Sequence, residues 1–250
     1  MPTLVLLRHG ESTWNAENRF TGWHDVPLTA LGRKEAQRAG QLLAEAEVAV
    51  DLVHTSLQQR AITTANLALE EAERLWVTQR RHWRLNERHY GDLQGRDKAE
   101  TAERHGAEAV QRWRRSYEVR PPAIGPDDPR HPGHDPRYAT LAPEVLPGGE
   151  SLADVVSRMT PYWFDAIAPD LLGGHTVMVV AHGNSLRALV KHLRRIPDDE
   201  IPGLEIPTGV PLVFHLDDRL VPMSSGYLGE PEEAAAPAPP EDEPDDPADG

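Results

Sequence analysis

The sequence predicts an α/β fold, a single three-layer domain in which helices flank a mostly parallel central sheet. Apolar runs of strand length alternate along the chain with stretches whose apolar residues recur at helical spacing. Two of the strand-like runs end in the dipeptide His-Gly, one at His9 and one at His182. A chain of 250 residues with 39% hydrophobic content is long enough to bury one sizeable core.

Five segments have the composition of strands. The segment 176–181 is nearly continuously apolar, which is typical of a parallel strand that is covered on both faces. Pro211 indicates that the last strand lies at an edge, because proline cannot donate a hydrogen bond to a neighbouring strand. The predicted strands are 3–7, 50–54, 76–83, 176–181 and 210–216.

Three helices have recognisable start signals. Thr29 is predicted to cap the first of these helices, and Thr55-Ser56 is predicted to cap the second. Ser151 followed by Asp154 has the pattern of a capping box ahead of the third helix. Pro161 is predicted to kink that third helix, since its ring removes a backbone donor.

The alternating pattern is interrupted between residues 86 and 149. This segment is polar, carries arginine and tryptophan, and contains a stretch rich in proline and glycine at 121–136. Long insertions of this kind in compact domains usually cover functional sites. We therefore expect residues 1–229 to form the catalytic domain, with 86–149 as an inserted cap segment over its active site.

The last 21 residues, 230–250, are predicted to form a disordered acidic tail rich in proline and alanine. The tail holds nine acidic residues and no lysine or arginine, so the formal net charge of −14 leaves only −5 for residues 1–229. Such a composition cannot bury enough apolar surface to fold. Its carboxylates would repel nucleic acid, so no nucleic-acid partner is expected.

The absence of cysteine restricts the chemistry. Disulfides, iron–sulfur clusters, thiolate zinc sites and cysteine nucleophiles are all excluded. The longest apolar runs have the length of strands, so we expect neither a signal peptide nor a membrane association. These features together favour a cytoplasmic location. The pair His131 and His134 has a superficial metal-ligand spacing, but its proline-rich loop context argues against a metal site.

His9 and His182 are predicted to share one pocket. The carboxyl ends of parallel strands meet at one edge of a sheet, so residues that follow two strands can converge although they are far apart in sequence. An imidazole in such a pocket can accept a phosphoryl group, and Arg8 can supply positive charge beside it. The sequence therefore favours phosphoryl transfer.

The chain resembles the 2,3-bisphosphoglycerate-dependent phosphoglycerate mutases of the histidine phosphatase superfamily. The resemblance covers nearly all of residues 1–229, and the Asn-Glu-Arg-His-Tyr-Gly run and the Trp-Arg-Arg of the insertion are typical of the mutase branch. The matching motifs are LVLLRHGESTWNAENRFTGWHDVPLT, HTSLQQRAITT, LNERHYGDLQG, KAETAERHG, WRR, PGHDPRY, AHGNSLRALVKHL and IPTGVPLV.

The resemblance implies interconversion of 3-phosphoglycerate and 2-phosphoglycerate, a step of glycolysis and gluconeogenesis. It implies that 2,3-bisphosphoglycerate primes His9 as a phosphohistidine, that no metal takes part, and that the small-molecule substrate is a phosphoglycerate. It also implies a homo-oligomer. The alternative within the same superfamily is a phosphohydrolase that acts on small phosphate esters, because water can attack the same phosphohistidine.

The resemblance assigns catalytic roles to five residues. His9 is the nucleophile, and Arg8, Arg60 and a protonated His182 stabilise the transferring group. Glu87 is the general acid and base. Judged without the resemblance, Arg60 is equally a solvated helix residue and Glu87 is more typical of a surface ion pair with Arg88.

The resemblance also implies the groups that bind the unreactive parts of the substrate. Arg114 and Arg115 are the main pair, since adjacent guanidinium groups can bind a carboxylate and a second phosphate. The loop residues among the others also suit ordinary turn and cap roles. The remaining predicted substrate-binding residues are Ser12, Asn15, Thr21, Gly22, Tyr90, Lys98, Gly183 and Asn184.

Overall fold

The centre of the molecule is a six-stranded sheet, seen in a computed structural model that describes residues 1–229. The strand order across the sheet is β3-β2-β4-β1-β5-β6. The predicted tail, 230–250, lies outside the described residues. The strands are β1 Thr3–Arg8, β2 Leu52–Thr55, β3 Thr78–Arg81, β4 Thr176–Ala181, β5 Leu212–Leu216 and β6 Pro222–Tyr227.

The sheet is mostly parallel, as predicted. β3, β2, β4 and β1 run parallel to one another, and β5 and β6 are added antiparallel beyond β1. In the pairing of β1 with β4, Arg8 lies opposite Ala181. The next residue of each strand is therefore a histidine, and the His9 amide donates to the Ala181 carbonyl at 3.0 Å.

Helices cover both faces of the sheet and complete the three layers. Leu4, Leu6, Val177 and Val179 point into one core, whereas the alternate residues of the same two strands point into the other. The helices are α1 Thr13–Ala16, α2 Ala30–Glu45, α3 Gln59–Glu71, α4 Lys98–His105, α5 Ala107–Arg115, α6 Leu152–Tyr162, α7 Ala168–Leu172 and α8 Gly183–Arg194.

The first core contains residues of α6, α7 and α8, and the second contains residues of α2 and α3. The insertion contributes α4 and α5, which are followed by short 3₁₀ turns at Pro132–His134, Pro136–Tyr138 and Pro143–Val145. Within residues 1–229, no helix combines the length and the hydropathy that crossing a bilayer requires.

Two of the three predicted helix starts are confirmed. The Thr29 hydroxyl accepts a hydrogen bond from the Gly32 amide at 3.0 Å. Ser151 and Asp154 form the capping box of α6. Downstream of Pro161 the α-helix gives way to a π-helical stretch, Trp163–Ile167, before α7.

The predicted cap at Thr55-Ser56 is wrong. The residue that precedes α3 is Gln58, which makes no capping hydrogen bond with its side chain. The Ser56 hydroxyl instead accepts from the Gln58 amide at 3.2 Å and contacts His182 Nε2 at 2.7 Å. The Ser56 side chain, which local propensity predicted to cap the helix, thus contacts His182 instead.

The sheet also corrects the prediction for the last strand. Pro211 does not mark an edge, because it lies just before β5 and because β5 pairs with β1 on one side and β6 on the other. β6 was not predicted, since its sequence PMSSGY lacks an apolar alternation. The predicted strand 76–83 is shorter than expected, and Trp83–Leu85 forms a 3₁₀ turn.

Two glycines allow the turn after β1 to lie against the start of α2. A Cβ added to Gly10 would be 2.1 Å from the Gly32 carbonyl oxygen, and one added to Gly32 would be 2.0 Å from the Glu11 carbonyl oxygen. Both contacts are to backbone, which a rotamer change cannot relieve. This close approach fixes the turn that directly follows His9.

We predict that Gly32→Ala destabilises the protein by about 2 kcal/mol or more, because the added methyl group must displace backbone atoms. Chemical denaturation of the purified variant measures this loss. Gly226→Ala is the matched control, since a Cβ there meets nothing within 4 Å. An equal stability for both variants would contradict the close contact.

Candidate active site

A cavity of about 260 Å³ lies where the carboxyl ends of β1 and β4 meet. Its lining comes from the end of β1, the segment between β1 and α2, helix α3, the insertion, helix α8 and the segment 204–206. Every predicted site residue except Ser12 and His182 lines it. These lining residues are Arg8, His9, Asn15, Thr21, Gly22, Arg60, Glu87, Tyr90, Lys98, Arg114, Arg115, Gly183 and Asn184.

Hydrogen bonds at both ring nitrogens hold His9 in one orientation. Nδ1 lies 2.7 Å from the Gly10 carbonyl oxygen, so Nδ1 carries the proton and donates it. Nε2 therefore keeps its lone pair, which accepts from Arg60 Nε at 3.3 Å. Burial, with a smaller contribution from Arg60 and Arg8, lowers the pKa of His9 well below its ordinary value. The imidazole is thus a neutral, oriented nucleophile.

His182 lies directly behind His9, with the ring centroids 4.9 Å apart. The Ser56 hydroxyl accepts from the Gln58 amide, so it can direct its own proton to His182 Nε2. That arrangement leaves the ring proton on Nδ1, a fully buried atom without a partner among the described residues. Burial and the nearby charge of Arg60 lower the pKa of His182 well below its ordinary value. Without a ligand His182 is neutral, and a bound dianion would favour its protonation.

Arg60 is buried and fully oriented by backbone carbonyls. Its Nη1 donates to the His24 carbonyl at 3.0 Å, and its Nη2 donates to the Gly22 carbonyl at 2.9 Å. Burial lowers its pKa to about 10, which leaves it protonated at neutral pH. Its position in the first turn of α3 matches the prediction, but the solvated alternative is wrong because only 1% of Arg60 is exposed.

Glu87 is fixed in the cavity by backbone donors. Its Oε1 accepts from the Arg88 amide at 2.7 Å and from the Asn184 amide at 3.2 Å. The Gln58 side chain accepts from the Glu87 amide at 2.9 Å. The surface ion pair with Arg88 is absent, and Glu87 is only 9% exposed. Oε2 has no hydrogen-bond partner among the described residues.

The insertion supplies several of the cationic side chains that line the cavity. Lys98 begins α4, and Arg114 and Arg115 end α5. Burial lowers the pKa of Lys98, and the charges of Arg114 and Arg8 lower it further. The Tyr90 hydroxyl accepts from Asn184 Nδ2 at 3.3 Å. The positive charges among these groups suit an anionic ligand.

The segment between β1 and α2 closes another side of the cavity. Asn15, Thr21 and Gly22 line it, and the Gly22 backbone has a positive φ of 58° that a side chain would strain. Ser12 is fully buried and caps α1, where it bonds to Asn15 and does not face the cavity. Ser12 can therefore contribute by orienting Asn15.

Several cavity residues were not predicted. Arg187 lies on α8 and is 5% exposed, and its Nη1 donates to Asn184 Oδ1 at 3.2 Å. Its position within AHGNSLRALVKHL, four residues after Gly183, places it one helical turn away on the same face. That spacing could have identified it. The other unpredicted lining residues are Arg19, Phe20, Leu204, Glu205 and Ile206.

Positive charge dominates the cavity. Two carboxylates, Glu87 and Glu205, face a larger set of cationic side chains. Buried N–H groups of Arg8 and Arg187, both at Nε, have no partner among the described residues. Unsatisfied cationic donors of this kind suit the oxygens of a phosphate or carboxylate ligand. The cationic lining residues are Arg8, Arg19, Arg60, Lys98, Arg114, Arg115 and Arg187.

The described residues contain no comparable cluster of side chains that could bind a metal ion. Among residues 1–229, no set of three or more histidine, aspartate or glutamate side chains is arranged to hold a metal ion. His131 accepts at Nδ1 from the Gly133 amide, and His134 Nε2 lies 2.9 Å from the Pro126 carbonyl oxygen. Both imidazoles therefore stabilise their own loop.

The paired strand-end histidines and the surrounding arginines define a class of protein. The family model described as histidine phosphatase superfamily (branch 1) matches residues 4–130 and 125–219. The chain belongs to this superfamily.

Relatives of high sequence identity indicate the family within this superfamily. A 2,3-bisphosphoglycerate-dependent phosphoglycerate mutase of Nitratidesulfovibrio vulgaris strain Hildenborough is 57% identical over 94% of each chain. One of Streptomyces griseus is 61% identical over 89% of this chain and 88% of its own. Within the superfamily, the chain belongs to the family of these mutases, as the resemblance implied.

More distant solved structures share the fold. A mycobacterial glucosyl-3-phosphoglycerate phosphatase superimposes with a TM-score of 0.67 at 25% identity, covering 91% of this chain and 97% of its own. The same architecture therefore also supports phosphatases.

We predict that His9 stays neutral in the free protein at pH values where an exposed histidine is protonated. Its folded-state pKa lies below the ordinary 6.5, so lowering the pH to about 6 should leave His9 unprotonated. Histidine-resolved NMR titration measures this. A His9 midpoint at or above the ordinary 6.5 would contradict the burial effect.

Proposed function

We propose that the protein interconverts 3-phosphoglycerate and 2-phosphoglycerate through a phosphohistidine at His9, with 2,3-bisphosphoglycerate as the phosphoryl donor that primes it. One observation carries the proposal. The unprotonated Nε2 of His9 faces Arg60 at 3.3 Å in a cavity that also holds the carboxylate of Glu87. The identity to named mutases supports the substrate class.

The first transfer begins with attack of the Nε2 lone pair on phosphorus. The N–P bond forms as the bond from phosphorus to the ester oxygen breaks, and that oxygen takes the proton of Glu87, which enters this step as the carboxylic acid and leaves it as the carboxylate. Arg8 and Arg60 stabilise the charge on the equatorial oxygens in a site largely shielded from water. The Nδ1 proton of His182 is available as a further donor.

The return transfer uses the same groups in reverse. Glu87 accepts the proton of the substrate hydroxyl as that oxygen attacks phosphorus, and the N–P bond breaks to restore neutral His9. The product of this step is again the bisphosphate, which must reorient so that its other phosphate faces His9. Net isomerisation follows when His9 takes back the phosphate that the substrate already carried, and not the phosphate that it has just donated.

The distal cations favour a mutase over a phosphohydrolase. Hydrolysis of a simple phosphate ester requires only the groups that act on the transferred phosphoryl group, whereas Arg114, Arg115 and Lys98 line the same cavity as additional cations. Adjacent arginines can bind the carboxylate and the second phosphate, which both belong to a phosphoglycerate. We also infer a cytoplasmic location, a homo-oligomer and no requirement for a metal ion.

A product assay tests the proposal. Purified protein receives 3-phosphoglycerate and a chelator, with or without a trace of 2,3-bisphosphoglycerate, while 2-phosphoglycerate and free phosphate are followed together. We expect rapid 2-phosphoglycerate formation that depends on the bisphosphate, persists with chelator and releases little phosphate. His9→Gln should lose this activity, because no phosphohistidine can form.

The assay also identifies the competing functions. Free phosphate without 2-phosphoglycerate would indicate a hydrolase, and neither product would overturn an enzymatic role toward phosphoglycerates. Turnover that survives in the His9→Gln variant would remove the phosphohistidine from the mechanism.

We predict that Glu87→Gln lowers kcat by a factor of about 10² to 10⁴ and changes the KM for 3-phosphoglycerate much less. The amide can still accept the backbone hydrogen bonds at Oε1, but it cannot exchange a proton. Steady-state kinetics measures both constants, with Glu70→Gln on the exposed face of α3 as the control. A kcat equal to that of the control would exclude Glu87 as the proton carrier.

A further inference from the structure

One acidic residue of the cavity has no part in the proposed reaction. Glu205 lines the cavity next to Arg115, and its Oε1 lies 2.5 Å from Arg115 Nη2. Glu87, the other lining carboxylate, accepts from backbone amides. Glu205 is therefore the acid of this lining that pairs with one of the cations expected to bind substrate.

The position of Glu205 is set by its neighbours. Ile206 is 2% exposed, and its carbonyl accepts from Arg8 Nη1 at 2.8 Å. Five residues earlier, the Ile201 carbonyl accepts from Arg187 Nη2 at 2.6 Å. Two arginines of the cavity thus anchor the backbone on either side of Glu205. The carboxylate is held at the rim and is not carried on a free chain end.

The ion pair with Glu205 occupies the guanidinium of Arg115, which an anionic ligand would also bind. Arg115 is about one-third exposed and Glu205 is 61% exposed, so the pair lies at the rim and an incoming anion can displace the carboxylate. After displacement, Glu205 remains close to the ligand and repels it. The repulsion grows with ligand charge, since each added unit charge within a few ångströms contributes separately.

We infer that Glu205 is a specificity-determining residue that competes with the ligand for Arg115 and thereby lowers the affinity for 2,3-bisphosphoglycerate more than for 3-phosphoglycerate. This inference rests on the proposed function. In that cycle the bisphosphate is both the priming molecule and an intermediate. A site that held it too tightly would exclude the monophosphate, and Glu205 limits this effect.

Binding measurements test the inference. Isothermal titration with each ligand is made in the His9→Gln background, where phosphoryl transfer cannot alter the ligands. Adding Glu205→Gln should tighten 3-phosphoglycerate binding about threefold and 2,3-bisphosphoglycerate binding about tenfold or more. The gain should shrink as ionic strength rises, which loss of a purely structural contact would not produce.

Glu200→Gln is the matched control, because it removes the same charge from an exposed position five residues earlier that does not line the cavity. The control should leave the ratio of the two affinities unchanged. If Glu205→Gln shifts the ratio no more than Glu200→Gln, the inference is wrong and the proposed function stands. If the His9→Gln protein and the unmodified protein both bind neither ligand, the proposed function itself fails.

A double-mutant cycle tests whether Glu205 acts through Arg115. In an Arg115→Gln background, where no ion pair remains to be displaced, Glu205→Gln should raise the affinity for each ligand by a smaller factor than it does beside Arg115, because only the repulsion is removed. An effect of equal size in both backgrounds would contradict competition for Arg115.

Discussion

The parallel pairing of β1 with β4 is the constraint on which the site depends. The register that places Arg8 opposite Ala181 brings His9 and His182 side by side, although 173 residues separate them along the chain. Both strands are buried on both faces, so a slip in register would expose core residues on each side. The same packing that stabilises the fold therefore fixes the distance between the two imidazoles.

The second constraint is the concentration of positive charge in a small cavity. Burial lowers the pKa of Arg60 and of Arg187 to about 10, and like charges nearby add to the shift at Arg187. Such an arrangement is unfavourable without an anion. The protein limits the repulsion with backbone carbonyls at Arg60 and Arg8, and with the carboxylate of Glu205 at Arg115. An anionic ligand that binds in the cavity would reduce the remaining repulsion between these cations.

Burial, and to a smaller extent the same charges, keep His9 neutral. An imidazolium beside Arg8 and Arg60 would be repelled, so burial and charge both favour the form that can act as a nucleophile. Burial and the charge of Arg60 also lower the pKa of His182, so the protonated form that the resemblance implies is disfavoured in the free site. A bound dianion would favour that form.

The sequence alone determined the α/β class, the ends of the main strands and the caps at Thr29 and Ser151, and the family resemblance of its motifs identified 13 of the 19 residues that line the cavity. Local periodicity and contiguous motifs carry that information. Only the tertiary structure decided which nitrogen of His9 carries the proton, that Ser56 contacts His182 and does not cap α3, and that Glu205 lines the cavity. Each of these depends on which distant groups compete for one hydrogen bond or one charge, and spacing along the chain does not encode that competition.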